Sequence, residues 1–166
     1  MITELENGVI TNDVYCIPKV TCEQLLRLKG LEWKNWTGTY TKWASHDFWF
    51  IPKKMWDTDP VVMMFMEYMM PVFHAYNVKP DTIRLTRYKV GDYIGNHQDV
   101  GDMERKLTIV IQLSDPKDYE GGELIVEGKK ACDLQGAVLV HDPIKDWHEV
   151  KPVTKGTRYT VVIWCK

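Results

Sequence analysis

The sequence lacks the features of a disulfide scaffold and of a membrane protein. Among its 166 residues there are four cysteines and no Cys-x-x-Cys pair, the cysteines being Cys16, Cys22, Cys132 and Cys165. A chain of this size can bury a core without disulfides, so we expect reduced thiols and a cytoplasmic location. The most apolar stretch, residues 61–73, is interrupted by Glu67 and Pro71. It falls short of the ~20 apolar residues that a membrane span needs.

An excess of charge of one sign is also lacking. The chain has 21 basic and 23 acidic residues and a net charge of -2. Without a positive surplus to attract a phosphate backbone, we expect no nucleic-acid partner. The first six residues are acidic and contain no apolar run, which argues against a secretory signal and a membrane partner. The oligomeric state is left open.

The chain is predicted to form one α+β domain, residues 1–166, whose two parts differ in secondary structure. Residues 1–81 are expected to be mainly helical or irregular support. A capping box of Thr21 and Gln24 predicts a helix to about Lys29, and Asp59 with Pro60 predicts the start of a second helix. The aromatic segment between these helices is either an irregular layer over a sheet or part of a substrate groove. Its aromatic residues are Trp33, Trp36, Tyr40, Trp43, Phe48, Trp49 and Phe50.

From residue 82 onward, short apolar runs alternate with turn signals. Many short strands at this spacing are typical of an antiparallel sandwich or a jelly roll. The predicted strands cover residues 82–88, 106–113, 123–126, 137–140, 149–153 and 158–164.

Residues 97–158 contain a set of side chains that suits a metal site. His97 and Asp99 are two residues apart, so an extended segment would point both to one face. Adding His148 gives two imidazoles and one carboxylate, which can occupy one face of an Fe(II) ion and leave three positions open. Arg158 could bind an anionic cosubstrate through two parallel hydrogen bonds. Each feature alone is also compatible with an incidental histidine or a surface salt bridge.

The order of the surrounding motifs carries a resemblance to a known family. Residues 82–164 resemble the Fe(II)- and 2-oxoglutarate-dependent oxygenases, and more narrowly the prolyl 4-hydroxylase-like branch. The matching stretches are residues 87–93, the His97/Asp99 pair, and residues 106–114, 119–124, 136–140 and 148–153, the last of these followed by Arg158.

This resemblance implies a fold, cofactors and site residues. The implied fold is a double-stranded β-helix core with the N-terminal helices packed on its major sheet. Fe(II) would bind His97, Asp99 and His148, and Arg158 would bind the distal carboxylate of 2-oxoglutarate. O₂ is the implied oxidant, and ascorbate is a candidate reductant. Tyr88 matches a tyrosine that lines the cosubstrate pocket in the family, and Thr108 or Gln112 could assist Arg158. Trp164 follows Arg158 at even spacing on the same predicted strand, so we expect it on the same face, in or beside the pocket.

Two departures from the family pattern matter for these assignments. His141-Asp142-Pro143 stands where relatives often have Phe-Pro-Ser, so His141 competes with His148 as the third ligand. The sequence around His148 and its spacing to Arg158 favour His148. Gln112 stands where relatives often carry an aromatic or hydroxyl side chain that faces the cosubstrate, so its role is left open. Separately, Trp164 stands where the alkylation-repair branch typically has a second arginine, which disfavours a nucleic-acid substrate.

The resemblance implies hydroxylation of an unactivated C–H bond, with a prolyl residue of a peptide or protein as the favoured substrate. One alternative is an oxygenase that acts on another small molecule or on nucleic acid. The other is a non-catalytic jelly-roll module that binds a ligand or a protein partner.

Overall fold

Short strands dominate the computed structural model, which describes residues 9–11, 14–37 and 44–166. The helices in these ranges are α1 (Lys19–Leu26) and α2 (Pro60–Tyr76), with one 3-10 turn at Lys53–Met55. The strands are β1 (Val9–Thr11), β2 (Val14–Cys16), β3 (Lys34–Thr37), β4 (Ala44–Phe50), β5 (Pro80–Tyr88), β6 (Tyr93–His97), β7 (Leu107–Gln112), β8 (Tyr119–Gly121), β9 (Leu124–Val126), β10 (Lys129–Lys130), β11 (Val138–His141), β12 (His148–Val150), β13 (Val153–Gly156) and β14 (Arg158–Cys165).

One curled antiparallel sheet joins most of these strands. Its order is β10-β9-β12-β6-β4-β5-β14-β7-β11, and β3 pairs with β4 outside this path. Strand β14 lies between β5 and β7, with Arg158 opposite Tyr88 and Thr160 opposite Gln112. Strand β12 pairs with β6 and places His148 opposite His97. The curled sheet with its two helices confirms the predicted α+β jelly roll.

The two faces of β14 have different roles. Val161, Ile163 and Cys165 are fully buried in the main apolar core, which also contains residues of both helices. Burial raises the pKa of the Cys165 thiol to about 12, so this thiol stays protonated. The alternate residues, Arg158 and Trp164 among them, line a cavity on the concave face. The period of two along one strand therefore separates the core from the site.

Helix α2 follows its sequence signals closely. The Asp59 carboxylate accepts hydrogen bonds from the backbone N–H groups of Val61 and Val62 at 2.9 and 3.1 Å. Asn77 ends the helix in the left-handed conformation. The predicted start of this helix is confirmed. Within the described residues, none of the helices has the length and apolar character needed to cross a bilayer.

The expectations for the first helix and for the aromatic segment need correction. Helix α1 begins at Lys19 after Pro18, and Thr21 is a buried residue inside it and not its N-cap. Strands β3 and β4 replace the expected irregular layer, because β4 pairs with both β5 and β6 and so belongs to the curled sheet. Tyr40 and Trp43 lie outside the described residues.

Candidate metal and cosubstrate site

The curled sheet brings together the three predicted metal ligands. His97 ends β6, and His148 begins β12. Asp99 follows β6, and its backbone N–H donates to the Pro143 carbonyl at 2.7 Å. The Nε2 atoms of His97 and His148 lie 3.7 and 3.8 Å from Asp99 Oδ1. One ligand atom from each of the three side chains lies within 4.8 Å of the others. This spacing allows one ion to contact all three.

Backbone carbonyls determine which imidazole nitrogen carries the hydrogen. The Nδ1 atom of His97 lies 2.8 Å from the Gly95 carbonyl, and that of His148 lies 3.3 Å from the Asp146 carbonyl. A carbonyl oxygen can only accept, so each Nδ1 donates and each Nε2 presents a lone pair towards Asp99. Burial lowers the pKa of both imidazoles, which favours the neutral, metal-binding form.

The two oxygens of the Asp99 carboxylate have different neighbours. Its Oδ2 accepts hydrogen bonds from Thr108 Oγ1 at 2.9 Å and from Trp164 Nε1 at 3.1 Å, while Oδ1 faces the imidazoles. Burial alone would raise the pKa of Asp99, but His148 and these two donors outweigh it and lower that pKa. An ionised carboxylate oxygen beside two imidazole lone pairs is a donor set that fits Fe(II).

Arg158 is a buried cation with unused hydrogen-bonding capacity. It is 3% exposed, its Nε donates to Gln112 Oε1 at 3.1 Å, and its Nη1 has no hydrogen-bond partner. The Tyr88 ring lies 5.5 Å from its Cζ. Gly122, at a φ of 67°, packs so closely that a Cβ there would lie 3.2 Å from Arg158 Cδ. A buried guanidinium without a carboxylate partner among the described residues fits an anionic ligand such as 2-oxoglutarate.

The four predicted residues of the cosubstrate pocket separate into two pairs. Tyr88 and Gln112 lie against the arginine, and Gln112 also donates to the Tyr119 hydroxyl at 2.9 Å. Thr108 and Trp164 instead donate to the carboxylate of the metal triad. Three of the four, Tyr88, Thr108 and Trp164, line one cavity together with the triad and the arginine.

Three further side chains lie at the site: His141, which the sequence offered only as an alternative metal ligand, and His46 and Arg84, to which it assigned no role. The His141 ring lies 4.3 Å from that of His148, and its buried Nε2 has no partner. His46 lies 5.4 Å from the Tyr88 ring, and both of its ring nitrogens are buried without partners. Arg84 lines the same cavity. Alternation along β4 and β5 was the available signal, since it places His46 with Phe48 and Arg84 with Tyr88.

A second groove opens beside the metal triad, and part of the aromatic segment lines it. Trp36 and Phe50, which are 46% and 43% exposed, border this groove. Trp33 instead contacts the Arg87 guanidinium at 4.4 Å, and Trp49 packs against the main core. The aromatic segment therefore contributes both to the groove and to the packing of the sheet.

A jelly roll with two imidazoles, one carboxylate and a buried, unpaired arginine defines the class of non-haem iron oxygenases that use a carboxylate cosubstrate. Residues 83–166, half of the chain, match the model of the 2OG-Fe(II) oxygenase superfamily. The chain belongs to this superfamily.

Curated relatives and solved structures agree with this membership. The chain is 42% identical over 95 residues to a PKHD-type hydroxylase of Gloeothece citriformis and 41% identical over 90 residues to one of Parvibaculum lavamentivorans. These stretches cover 52% and 51% of the chain but only 43% and 41% of the relatives, so the chain spans less than half of their length.

The solved structures extend the likeness to most of the fold. A Pseudomonas putida prolyl-4-hydroxylase superposes with a TM-score of 0.70 at 15% identity, covering 90% of this chain and 88% of that one. A viral collagen prolyl hydroxylase from Paramecium Bursaria Chlorella virus-1, solved as a 2OG complex, gives a TM-score of 0.63 at 19% identity, covering 90% and 91%. At these identities the likeness shows the fold.

Proposed function

We propose that the chain is an Fe(II)- and 2-oxoglutarate-dependent dioxygenase that hydroxylates a prolyl residue in a peptide or protein. The observation that carries this proposal is the pairing of a three-ligand metal triad with a buried arginine that has no anionic partner among the described residues. The relatives are named hydroxylases, and the structural neighbours named prolyl hydroxylases support a prolyl substrate. We further propose that residues 1–166 act as one domain, with residues 82–166 as its catalytic part and residues 1–81 as its support.

The residues of the site divide the work of binding. His97, Asp99 and His148 would hold Fe(II), and Arg158 would bind the distal carboxylate of 2-oxoglutarate through its unpartnered Nη1. Bound together, Fe(II) and 2-oxoglutarate supply the chemistry in which O₂ converts a C–H bond to C–OH while 2-oxoglutarate becomes succinate and CO₂.

The neighbouring side chains orient these groups and keep water away. Thr108 and Trp164 hold Asp99 so that one carboxylate oxygen faces the imidazoles. Gln112 holds the Arg158 guanidinium from its Nε side, and Nη1 is left for a ligand. Tyr88, 3% exposed, closes the cavity beside the arginine. Burial raises the pKa of the Tyr88 hydroxyl, so it stays protonated and able to donate a hydrogen bond.

The groove beside the triad supports a peptide substrate. Proline-rich segments are preorganised as extended helices and dock well against aromatic side chains, and Trp36 and Phe50 are exposed at this groove.

No disulfide joins the cysteines in the described part of the chain, which supports the proposed cytoplasmic location.

Reconstitution with defined peptides tests the proposal. The protein is loaded with Fe(II) and 2-oxoglutarate, with and without ascorbate, and incubated in air with proline peptides and matched alanine peptides. We expect a product heavier by one oxygen, together with succinate, from the proline peptides only. Unmodified peptides from an active, iron-loaded preparation would refute the prolyl substrate. Succinate formation in that preparation would still support the oxygenase.

Two variants test the third ligand and the non-catalytic alternative. His148→Ala should lose iron and turnover, whereas His141→Ala should keep iron, because Nε2 of His148 and not that of His141 belongs to the ligand group. Anaerobic addition of 2-oxoglutarate to the iron-loaded protein should give a weak visible charge-transfer band. The opposite result for the two histidines contradicts the ligand assignment, and absence of the band favours a non-catalytic binding module.

A further inference from the structure

Two arginines stack on the tryptophan that borders the metal triad. The Cζ atoms of Arg84 and Arg105 lie 4.7 and 4.4 Å from the centre of the Trp164 ring. The same indole donates its N–H to Asp99. Two positive charges are thereby held close to the metal triad and close to one another.

Neither arginine forms an ion pair with a carboxylate of the described residues. The buried Nε of Arg84 has no hydrogen-bond partner, and Arg105 Nη1 makes one long contact, 3.4 Å, to the Asp99 carbonyl. Arg87, three residues further along β5, binds Asp47 Oδ2 at 2.7 Å. The same strand thus pairs one arginine with an acid and leaves the other without one. A partly buried cation without a partner is costly, which indicates a position for an anion.

The described residues that line the groove of both arginines include no free acid. Gln98 and His46 lie there beside the exposed aromatics, and Asp99 has the only carboxylate of this described lining. Both oxygens of that carboxylate are already committed, Oδ2 to two donors and Oδ1 to the imidazoles. Burial, reinforced by the charge of Arg84, lowers the pKa of His46 to about 3, so His46 adds no charge near neutral pH. The two guanidinium groups therefore set the charge of the groove.

We propose that Arg84 and Arg105 bind a carboxylate of the substrate, so that the preferred substrate carries an acidic group close to the residue that is hydroxylated. This inference rests on the proposed oxygenase function and narrows its substrate class to acidic peptides. Arg158, which lies opposite Tyr88 on β14, does not line this groove, and it is the cation assigned to 2-oxoglutarate. The carboxylate comes from an acidic side chain or from a chain terminus, and both sources offer the same chemistry to the arginines.

Matched peptides test the inference on the holoenzyme. Three peptides share one proline-centred sequence: the first has blocked ends and a Glu beside the proline, the second has Gln in its place, and the third has Gln and a free C-terminal carboxylate. Affinity is measured anaerobically by fluorescence anisotropy with Fe(II) and 2-oxoglutarate bound, and KM and kcat are measured in air. We expect the Glu peptide, the free-terminus peptide or both to bind about 30-fold more tightly than the neutral peptide.

Substitution of either arginine should weaken this preference. Arg84→Gln and Arg105→Gln should each reduce the advantage of the acidic peptide to about threefold, mainly through KM, and Arg105→Lys should restore part of it. The affinity for 2-oxoglutarate should stay unchanged. Arg27→Gln is the matched control, since Arg27 follows the last residue of α1 and its side chain is 79% exposed. Because Arg84 is partly buried, Arg105→Gln keeps the test valid if Arg84→Gln does not fold.

Three results would decide against the inference. Equal affinity of the wild type for all three peptides overturns it, and hydroxylation of neutral proline peptides then leaves the proposed function intact. A loss of 2-oxoglutarate affinity in Arg84→Gln without a change in peptide preference assigns Arg84 to the cosubstrate and overturns it. Unchanged preference in both glutamine variants also overturns it. Binding of an acidic peptide without proline that depends on both arginines supports the inference even if prolyl hydroxylation fails.

Discussion

Removal of the Thr108 hydroxyl tests how the protein orients its metal-binding carboxylate. Thr108→Val preserves the shape of a side chain that is 1% exposed, but it deletes one of the two donors to Asp99 Oδ2. The Trp164 N–H, at 3.1 Å, remains as the other donor. The variant therefore leaves the ligand set complete and loosens one ligand.

The structure sets the size of the expected effect. A hydrogen bond to a charged acceptor contributes about 1.5–3 kcal/mol, and loss of a contact that orients a metal ligand typically costs about 10–100-fold in metal affinity. Because one donor remains, we expect metal affinity to fall about tenfold, which corresponds to roughly 1.4 kcal/mol of binding free energy. The pKa of Asp99 should also rise, because the Thr108 hydrogen bond helps to lower it. Metal binding should then fail at a higher pH than in the wild type, since protons compete better for the carboxylate.

Calorimetric titration with Fe(II) under anaerobic conditions, repeated across a pH series, measures both effects. Thr86→Val is the matched control: Thr86 is also fully buried in the sheet, but its hydroxyl has no partner, so its removal should leave metal affinity unchanged and stability equal or higher. Equal affinities and equal pH midpoints for Thr108→Val and the wild type would refute the orienting role of the hydroxyl.

Three further predictions concern other parts of the site. Arg158→Ala should weaken 2-oxoglutarate binding by about 2–5 kcal/mol, with partial recovery in Arg158→Lys; calorimetry that shows unchanged affinity would exclude the anchor role. His46 has its pKa lowered to about 3 by burial, so protonation favours the unfolded chain and stability falls as the pH drops from about 6.5 towards 3. When the pH is lowered from 7 to 5, the free energy of unfolding of His46→Phe, measured in urea, should accordingly fall by about 2 kcal/mol less than that of the wild type. Equal decreases in the two proteins would contradict this. Trp36→Ala should raise peptide KM while Tm and peptide-free 2-oxoglutarate turnover stay near normal, because Trp36 is 46% exposed; a large drop in Tm would instead assign it to packing.

The strands that build the core were predictable because their signals are local. Alternating apolar residues, turn dipeptides and the Asp59 cap each act within a few residues, and they define β5, β7, β14 and α2. Strand β4 was missed because its reason for being extended is not local. It pairs with β5 about 40 residues away, and only that pairing makes Trp49 a core residue and Phe50 a groove residue.

The hydrogen-bond donors to Asp99 also could not be predicted from local sequence signals. Even spacing on β14 correctly places Trp164 on the face of Arg158. The contact of Trp164 and Thr108 with Asp99 depends on register, since β14 and β7 pair so that these two residues lie opposite one another. A slip of two residues would keep every side chain on its face and move a different residue to the carboxylate. Such registers are properties of the assembled sheet, so the sequence predicts the members of the site better than their contacts.

The central position of β14 has a consequence for the kinetics of folding. Its neighbours are distant along the chain: Arg158 pairs with Tyr88, and Ile163 pairs with both Ile83 and Ile109. Until β14 inserts, β5 and β7 each have an unpaired edge, and loop closure over such separations is entropically costly. Folding should therefore be slow for a chain of this length and should pass through species prone to association by edge pairing. Because β14 supplies both the middle of the sheet and the arginine proposed to bind 2-oxoglutarate, the appearance of 2-oxoglutarate binding should report on the insertion of this strand.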